Sequence, residues 1–347
     1  MSNSNLSGSM KVNMVTGLKS LSRWIRFQSA GGMGTQVPIL VQRLRERGIQ
    51  ADIDGTGEYD IIHLHNPLPT LLPAVKRAQK KGAPVVIHAR HIPELVKGGF
   101  KFEGVIHPLF NRYSRWLYNQ ADTVICATPY VERWMQSNGI TSPTVVIPNG
   151  VDTTRFAPDP VAREKFRQMH DWKDECIVFS VGLLIPRKGV QDFIEVARRF
   201  THHQRMQFVW VGSREPGLEY VDTTDTPPNT RFLGHVPFED MAGVYAGGDI
   251  FLFPTYAESY GNVLFEAAAA GNVLVIRDIE IYREWFQHGN NCLKGNHARE
   301  FAAHIARIAE DAALRQQLQT GARKIAQEHD IGATVEKLAD LYGSLIP

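Results

Sequence analysis

Glu258 and Glu266 bracket seven residues in the stretch Thr255–Gly271, TYAESYGNVLFEAAAAG. An apolar run, Asp249-Ile-Phe-Leu-Phe-Pro254, precedes it, and Val273-Leu-Val-Ile276 follows. Between them Val263–Ala270 is rich in Ala and Leu, which are strong helix formers. The local reading is strand, loop, helix, strand, a parallel crossover unit. Glu258 then sits in the loop beyond a strand's carboxyl end, with Glu266 about two turns into the helix. Ligands of open α/β sheets bind at that edge. Gly261 and Asn262 open the helix, where free N–H groups and the dipole favour an anion. The same pattern fits a capped crossover helix with one solvated glutamate, so spacing alone leaves both readings open.

Other residues could also do chemistry. His88 ends the strand-like run Pro84-Val-Val-Ile-His, with Arg90 and His91 just beyond it. A lone histidine there is usually structural, but three such side chains within four residues point to a ligand edge. Gly31-Gly-Met-Gly34 precedes the helix-periodic segment Gln36–Arg47. A glycine turn ahead of a helix can bring backbone N–H groups to an anion. The pattern is not G-x-G-x-x-G, and no acidic ribose ligand follows at dinucleotide spacing, so a plain turn is the alternative. Asp52-Ile-Asp54 spells D-x-D, but it stands early and beside no donor motif, and no metal is expected.

The elements that must position these groups alternate. Lys11–Thr16, Asp60–His65, Pro84–His88, Thr123–Cys126 and Thr144–Ile147 read as strands, and Thr70–Lys81 and Val105–Tyr118 as helices. The second helix carries an apolar stripe at 105, 106, 109, 110, 113, 116 and 117, with Arg112 and Arg115 off it. A second series runs through Cys176–Leu184, Val190–Phe200, Phe208–Gly212, Arg231–Gly234 and a helix ending near Tyr245. Residues from about Ala298 onward read as two or three helices. Two such series predict an α/β protein with two doubly wound parallel sheets and a ligand cleft between them. Pro148-Asn-Gly150 and the charged stretch to Lys173 carry the boundary. It is drawn as 1–155, 156–330, and a final helix at 331–347 packing back toward the first domain.

A chain of 347 residues with 43% hydrophobic and 21% charged content suits two soluble globular domains. Cys126, Cys176 and Cys292 are far apart, which fits a reducing compartment and gives no zinc spacing. The opening MSNSNLSGSM lacks a signal peptide's apolar core, and no run approaches the ~20 apolar residues of a membrane span. A cytoplasmic protein is expected. The net charge of +2 conceals an asymmetry: residues 1–150 hold 17 basic and 9 acidic side chains, against 21 and 27 in the remainder. A first half at +8 and a second at −6 suggests that the first meets something anionic.

Five motifs in order resemble the retaining glycosyltransferases of family four, which have the GT-B fold of two facing Rossmann-like domains. They are Ala121-Asp-Thr-Val-Ile125, Pro148-Asn-Gly-Val-Asp152 with Phe156, Val181-Gly-Leu-Leu-Ile-Pro-Arg-Lys-Gly189, Arg231-Phe-Leu-Gly234 and Glu258-Ser-Tyr-Gly-Asn-Val-Leu-Phe-Glu266. Arg277-Asp-Ile-Glu-Ile-Tyr282 and Asp60-Ile-Ile-His-Leu-His-Asn66 resemble the branch that glucosylates diacylglycerol. The resemblance implies hexose transfer from a UDP- or GDP-hexose, with retention and no cofactor. It implies that Arg187 and Lys188 neutralise the diphosphate, and that Gly182, Ser259, Tyr260, Gly261, Asn262 and Val263 line the donor. It also implies that Glu266 accepts from the ribose, that Glu258 lies near the sugar, and that His88 meets the sugar from the first domain. Gly31, Gly32, Gly34, His65, Arg90 and His91 would contact phosphate or acceptor. One departure is Leu183, which stands where the family commonly has arginine; Arg187 is expected to take over that charge.

The acceptor is a membrane lipid or a soluble, anionic sugar derivative. Basic residues beside aromatics at Arg23–Phe27, Lys97–Phe102 and Arg112–Trp116 suit peripheral contact with the inner face of a membrane. No nucleic-acid partner is expected. A degenerate, non-catalytic binding subunit is the reading from another class, and intact Lys188, Glu258, Glu266 and His88 argue against it.

Overall fold

The computed structural model describes residues 10–17, 31–90, 103–215 and 218–346. His91 and the segments Arg23–Phe27 and Lys97–Phe102 lie outside the described residues. The chain divides into two compact units, the second beginning at Gly150 and the first including the C-terminal helix from Ile331.

In the first unit the strands are β1 (Lys11–Val15), β2 (Gln50–Ile53), β3 (Ile61–Leu64), β4 (Val85–His88), β5 (Thr123–Cys126) and β6 (Thr144–Val146). They form a parallel sheet in the order β2-β1-β3-β4-β5-β6. The central β3, β4 and β5 are buried at every position, as their mainly apolar sequences require of strands covered on both faces, with His63, His88 and Thr123 as buried polar exceptions. β2 was not anticipated, because a polar edge strand such as Gln-Ala-Asp-Ile carries no apolar run.

Helix α1 (Gly31–Glu46) lays Val37, Leu40, Val41 and Leu44 on the core formed by Met14, Val86 and Ile125. Ile331, Val335, Leu338 and Tyr342 of the C-terminal helix Ile331–Leu345 join the same core. Helices α2 (Leu72–Lys81), α3 (Glu103–Tyr118) and α4 (Pro129–Ser137) complete the crossovers. α4 starts where Thr128 accepts from the Val131 N–H at 3.0 Å and Pro129 takes the first position. Strand order reverses between β1 and β3, so their carboxyl ends frame the crevice where such sheets take ligands.

The second unit repeats the plan with β7 (Cys176–Val181), β8 (Met206–Val211), β9 (Thr230–Gly234), β10 (Ile250–Phe253), β11 (Val273–Arg277) and β12 (Leu293–Gly295). The order is β12-β11-β10-β7-β8-β9, again parallel, with the reversal between β7 and β10. Val178, Phe193, Phe208, Trp210, Leu252, Val275, Phe301 and Leu318 form its core. The charged stretch after Pro148, expected to carry the domain boundary, contains helix α5 (Pro160–Met169) of this unit. The charge has a structural purpose there: Arg163 and buried Arg167 both reach Asp249, which also accepts from the Ile177 N–H. Helices α6 (Val190–Arg199), α7 (Met241–Gly247) and α8 (Asn262–Ala269) follow, then α9 (Ala298–Glu310) and α10 (Ala312–Glu328).

Candidate active site

The second unit gathers its polar side chains at the β7/β10 reversal. β7 ends just before Gly182, and a short 3-10 turn, Pro186–Lys188, leads to Gly189 at φ +74°. A Cβ on Gly189 would lie 2.2 Å from the Pro254 carbonyl oxygen, so only glycine lets this turn press on the end of β10. That approach sets Lys188 against Glu258: the ammonium donates to Oε1 in a part-buried ion pair. Thr255 Oγ1 donates to the same oxygen at 3.0 Å, and Arg187 Nη1 lies 3.9 Å from it. Arg187 itself donates to the Ala257 carbonyl at 2.7 Å. The helix start at Gly261 has φ +84° and no side-chain cap, and a Cβ there would strike the Tyr282 hydroxyl at 2.3 Å.

Glu266 lies one turn into α8, not two, and accepts from the Tyr245 hydroxyl at 2.6 Å. Ser259, Asn262 and Val263 are part-exposed. The Tyr260 ring is fully buried and stacked on Phe265 at 4.4 Å, so only its backbone is available to a ligand. Arg277 is structural: it donates to the Pro254 carbonyl, pairs with Asp192 and lies over the Tyr256 ring.

In the first unit His88 ends β4, and the register that sets Leu64 beside Ile87 brings His65 next to it. The alternation His63-Leu-His65 puts both rings on one face. His63, missed as a site residue, completes a triangle of rings, 4.2 Å from His65 and 5.8 Å from His88, with His65 and His88 5.7 Å apart. Tyr342 of the C-terminal helix meets His63 Nδ1 at 2.7 Å. Arg90 Nε donates to His65 Nδ1 at 3.3 Å, and its Nη1 to Gln36 Oε1 at 2.7 Å. Gln36 in turn donates to the Asn149 carbonyl at 2.8 Å. Gly31, Gly32 and Gly34, expected to form a turn ahead of a helix, are the first turn of α1. Asp52 and Asp54 are structural. Asp52 pairs with Arg45 at 2.7 Å, and Asp54 accepts from the Thr16 N–H and hydroxyl at 2.9 and 2.8 Å.

Two family models match: "Glycosyl transferases group 1" over residues 162–325 and "Glycosyltransferase Family 4" over 54–155. A processive diacylglycerol alpha-glucosyltransferase of Acholeplasma laidlawii is 30% identical over 309 residues, covering 86% of this chain and 89% of the relative. The chain belongs to the group 1, family 4 glycosyltransferases. An Escherichia coli UDP-Gal:alpha-D-GlcNAc-diphosphoundecaprenol alpha-1,3-galactosyltransferase is 25% identical, with 83% of this chain and 76% of that one covered. Among solved structures, the Anabaena protein HepE in complex with UDP-glucose superposes with a TM-score of 0.77 at 18% identity, covering 97% of this chain and 100% of its own. Sucrose-phosphate synthase from Thermosynechococcus elongatus gives 0.79 at 18% identity, covering 97% and 99%. The fold is therefore GT-B, with its two parallel α/β units.

The charges of this glycosyltransferase are set by burial. Burial alone would raise the Glu258 pKa, but Lys188 and Arg187 outweigh it and hold the carboxyl below its ordinary value. Burial lowers Lys188, aided by Arg187 and opposed by Glu258. Burial pushes Glu266 up to about 7, and the Tyr245 hydroxyl and Arg155 offset it only in part. In the first unit burial, then Arg90, lowers His63 to about 3, and His65 and His88 fall well below their usual value, again mainly through burial. Nitrogens of these three histidines lie within 4.8 Å of one another, near enough for a metal ion to draw them together. The Arg90 charge and its donation to His65 Nδ1 oppose a cation there.

Proposed function

We propose that this glycosyltransferase moves a hexose, with retention at the anomeric carbon, from a UDP- or GDP-hexose to a hydroxyl of a membrane-lipid acceptor. The observation that carries the donor reading is the Arg187–Lys188–Glu258 cluster at the β7/β10 reversal, with Glu266 one helical turn beyond. As the sugar's C1–O bond to the diphosphate breaks, negative charge grows on the leaving phosphates. Lys188 and Arg187 are fixed donors for that charge in a buried setting, where they count most. Lys188 must first leave Glu258, which then accepts from the sugar's hydroxyls. Glu266 accepts from the ribose. The neutral His88 imidazole meets the sugar as a hydrogen-bonding group. None of these roles calls on a metal.

The lipid acceptor is supported by the relatives' names, which include diacylglycerol, diphosphoundecaprenol and phosphatidyl-myo-inositol transferases. It is also supported by one face of α3. Leu109 and Trp116, seven residues apart, are 70% and 46% exposed, while Ser114, Leu117 and Tyr118 turn inward. Arg112 and Arg115 are exposed with them. An exposed apolar pair among arginines suits a headgroup layer. No described helix is long and apolar enough to cross a membrane, so contact of this kind would be peripheral. The test is product analysis with UDP-, GDP- and ADP-hexoses against vesicles containing diacylglycerol or anionic lipid. An α-linked glycolipid from an α-linked donor is the expected result. Nucleotide-sugar hydrolysis with transfer only to soluble sugar phosphates would replace the lipid half of the reading. No turnover of any donor would leave a binding subunit.

A further inference from the structure

Tyr256 stands two residues before Glu258 and is 54% exposed, yet its ring is held from several directions. Its N–H donates to the Arg187 carbonyl at 2.8 Å, and its hydroxyl to Asp192 Oδ2 at 2.7 Å. One face of the ring is covered by Arg277, whose guanidinium carbon lies 3.8 Å from the ring centre. Arg277 is fixed in turn. It donates to the Pro254 carbonyl at 2.9 Å, pairs with Asp192 and lies 5.4 Å from the ring of Phe301 in the core. The ring therefore stands on a rigid, charge-balanced base with its other face toward solvent.

An exposed tyrosine that is already ordered offers a ligand its aromatic face with no further loss of rotamer freedom. The surroundings select the ligand. Asp192 lends only Oδ2 to Tyr256 and Arg277, and its Oδ1 accepts from no other group among the described residues. An acyl chain laid on the ring would lie against that carboxylate, and an anion would be repelled by it. A pyranose suits both features: its C–H face is apolar and packs on the ring, and its hydroxyls donate to a carboxylate oxygen. The backbone bond to Arg187 keeps this surface beside the cluster at the β7/β10 reversal.

We propose that the open face of the Tyr256 ring, braced by Arg277, is a platform for a hexopyranose, with Asp192 Oδ1 accepting from one of its hydroxyls. The sugar belongs to the nucleotide donor or to an acceptor that already carries a sugar, and the experiment separates the two. Those two sources rest on the glycosyl-transfer reading above; the sugar platform does not.

The experiment has two arms. In the first, methyl α-glucopyranoside is titrated into the full-length protein and followed by NMR, with the tyrosine rings labelled and the Tyr256 signal assigned by its loss in Tyr256→Leu. A saturable shift of that signal is expected, with the sugar's own ring protons moved upfield by the aromatic face. Binding read from those sugar protons should be about fivefold or more weaker in Tyr256→Leu. Tyr256→Phe keeps the ring and should stay within about threefold of wild type. Each variant's melting transition confirms that it is folded. In the second arm, calorimetry compares UDP-glucose with UDP and GDP-glucose with GDP, and transfer is compared between diacylglycerol and glucosyl-diacylglycerol in phosphatidylcholine vesicles. Weaker binding of the nucleotide sugar to Tyr256→Leu, with the free nucleotide little changed, assigns the platform to the donor's sugar. A KM raised more for glucosyl-diacylglycerol than for diacylglycerol assigns it to the acceptor's. Absence of a saturable shift, or equal losses for nucleotide sugar and free nucleotide, overturns the proposal. A Tyr256→Leu variant altered only in its melting temperature overturns it too, and leaves the ring as a cover for Arg277. Absence of any sugar release sinks the transferase reading instead, with glucoside binding still measurable.

Discussion

Truncating Lys188 separates its structural role from its chemical one. In the resting protein its ammonium is bound to Glu258, with side chains only 16% and 9% exposed. Lys188→Ala leaves Glu258 Oε1 with Thr255 at 3.0 Å and Arg187 at 3.9 Å. Removing one partner of a buried pair costs about 3–5 kcal/mol. Because Arg187 remains nearby, the lower end applies, about 3 kcal/mol. At about 2–4 °C per kcal/mol for a unit of this size, the melting temperature should fall by about 6–12 °C. Lys188→Ala with Glu258→Gln removes both charges and should recover most of that loss. Activity behaves differently. Losing one fixed donor to a developing anion costs about 10²–10³-fold, and the second change cannot restore it. Differential scanning calorimetry and initial rates of nucleotide release are the assays. A double variant that melts no higher than Lys188→Ala would refute the electrostatic account. Turnover in Lys188→Ala within about threefold of wild type would refute its role at the diphosphate.

Other outcomes follow from the same geometry. The folded Glu266 pKa of about 7 lies above its ordinary 4.5. Its protonated form is therefore favoured by folding, and its contribution to stability is lost as pH rises from about 4.5 through about 7, a slope that Glu266→Gln should remove from the stability profile. Nucleotide affinity should rise as pH passes through about 7, where the folded carboxylate forms, and calorimetric titration of Glu266→Gln should give weaker, flatter binding. Chelator should leave the transfer rate unchanged; loss restored by magnesium or manganese would show that a metal takes part. Vesicle co-sedimentation should weaken in Arg112→Ala/Arg115→Ala by about 1 kcal/mol per charge and in Trp116→Ser, and unchanged binding would remove α3 from the membrane contact.

The α/β alternation was legible because parallel strands buried on both faces must be apolar runs, and the helices between them keep a helical period. Elements without that signal escaped. β2 is polar and at an edge, β12 is three residues long, and α5 lay hidden in the charged boundary stretch, with Arg163 and Arg167 turned to Asp249. The stripe on α3 was visible, but periodicity could not say that Leu109 and Trp116 would be left outside while Leu117 went in. At the site, motif order marked Lys188, Glu258, Glu266 and His88. The pairings Lys188–Glu258, Tyr245–Glu266, Gln36–Arg90 and Tyr342–His63 join residues far apart along the chain, where no spacing rule reaches. His63 did have a signal, since His-x-His on a strand must present both rings to one face.

The two sheets place polar side chains at the same kind of edge, yet they balance charge in opposite ways. In the second unit a cation and an anion neutralise each other at rest, so on the proposed reading a donor must replace both halves. Its phosphates satisfy Lys188 and its sugar hydroxyls satisfy Glu258. A ligand with phosphate alone takes the lysine and leaves a buried carboxylate poorly paired, which favours the intact nucleotide sugar and weakens the hold on the spent nucleotide. In the first unit Arg90 is met only by neutral groups among the described residues. The paired arrangement of the second unit suits a substrate that must be told apart from its own product.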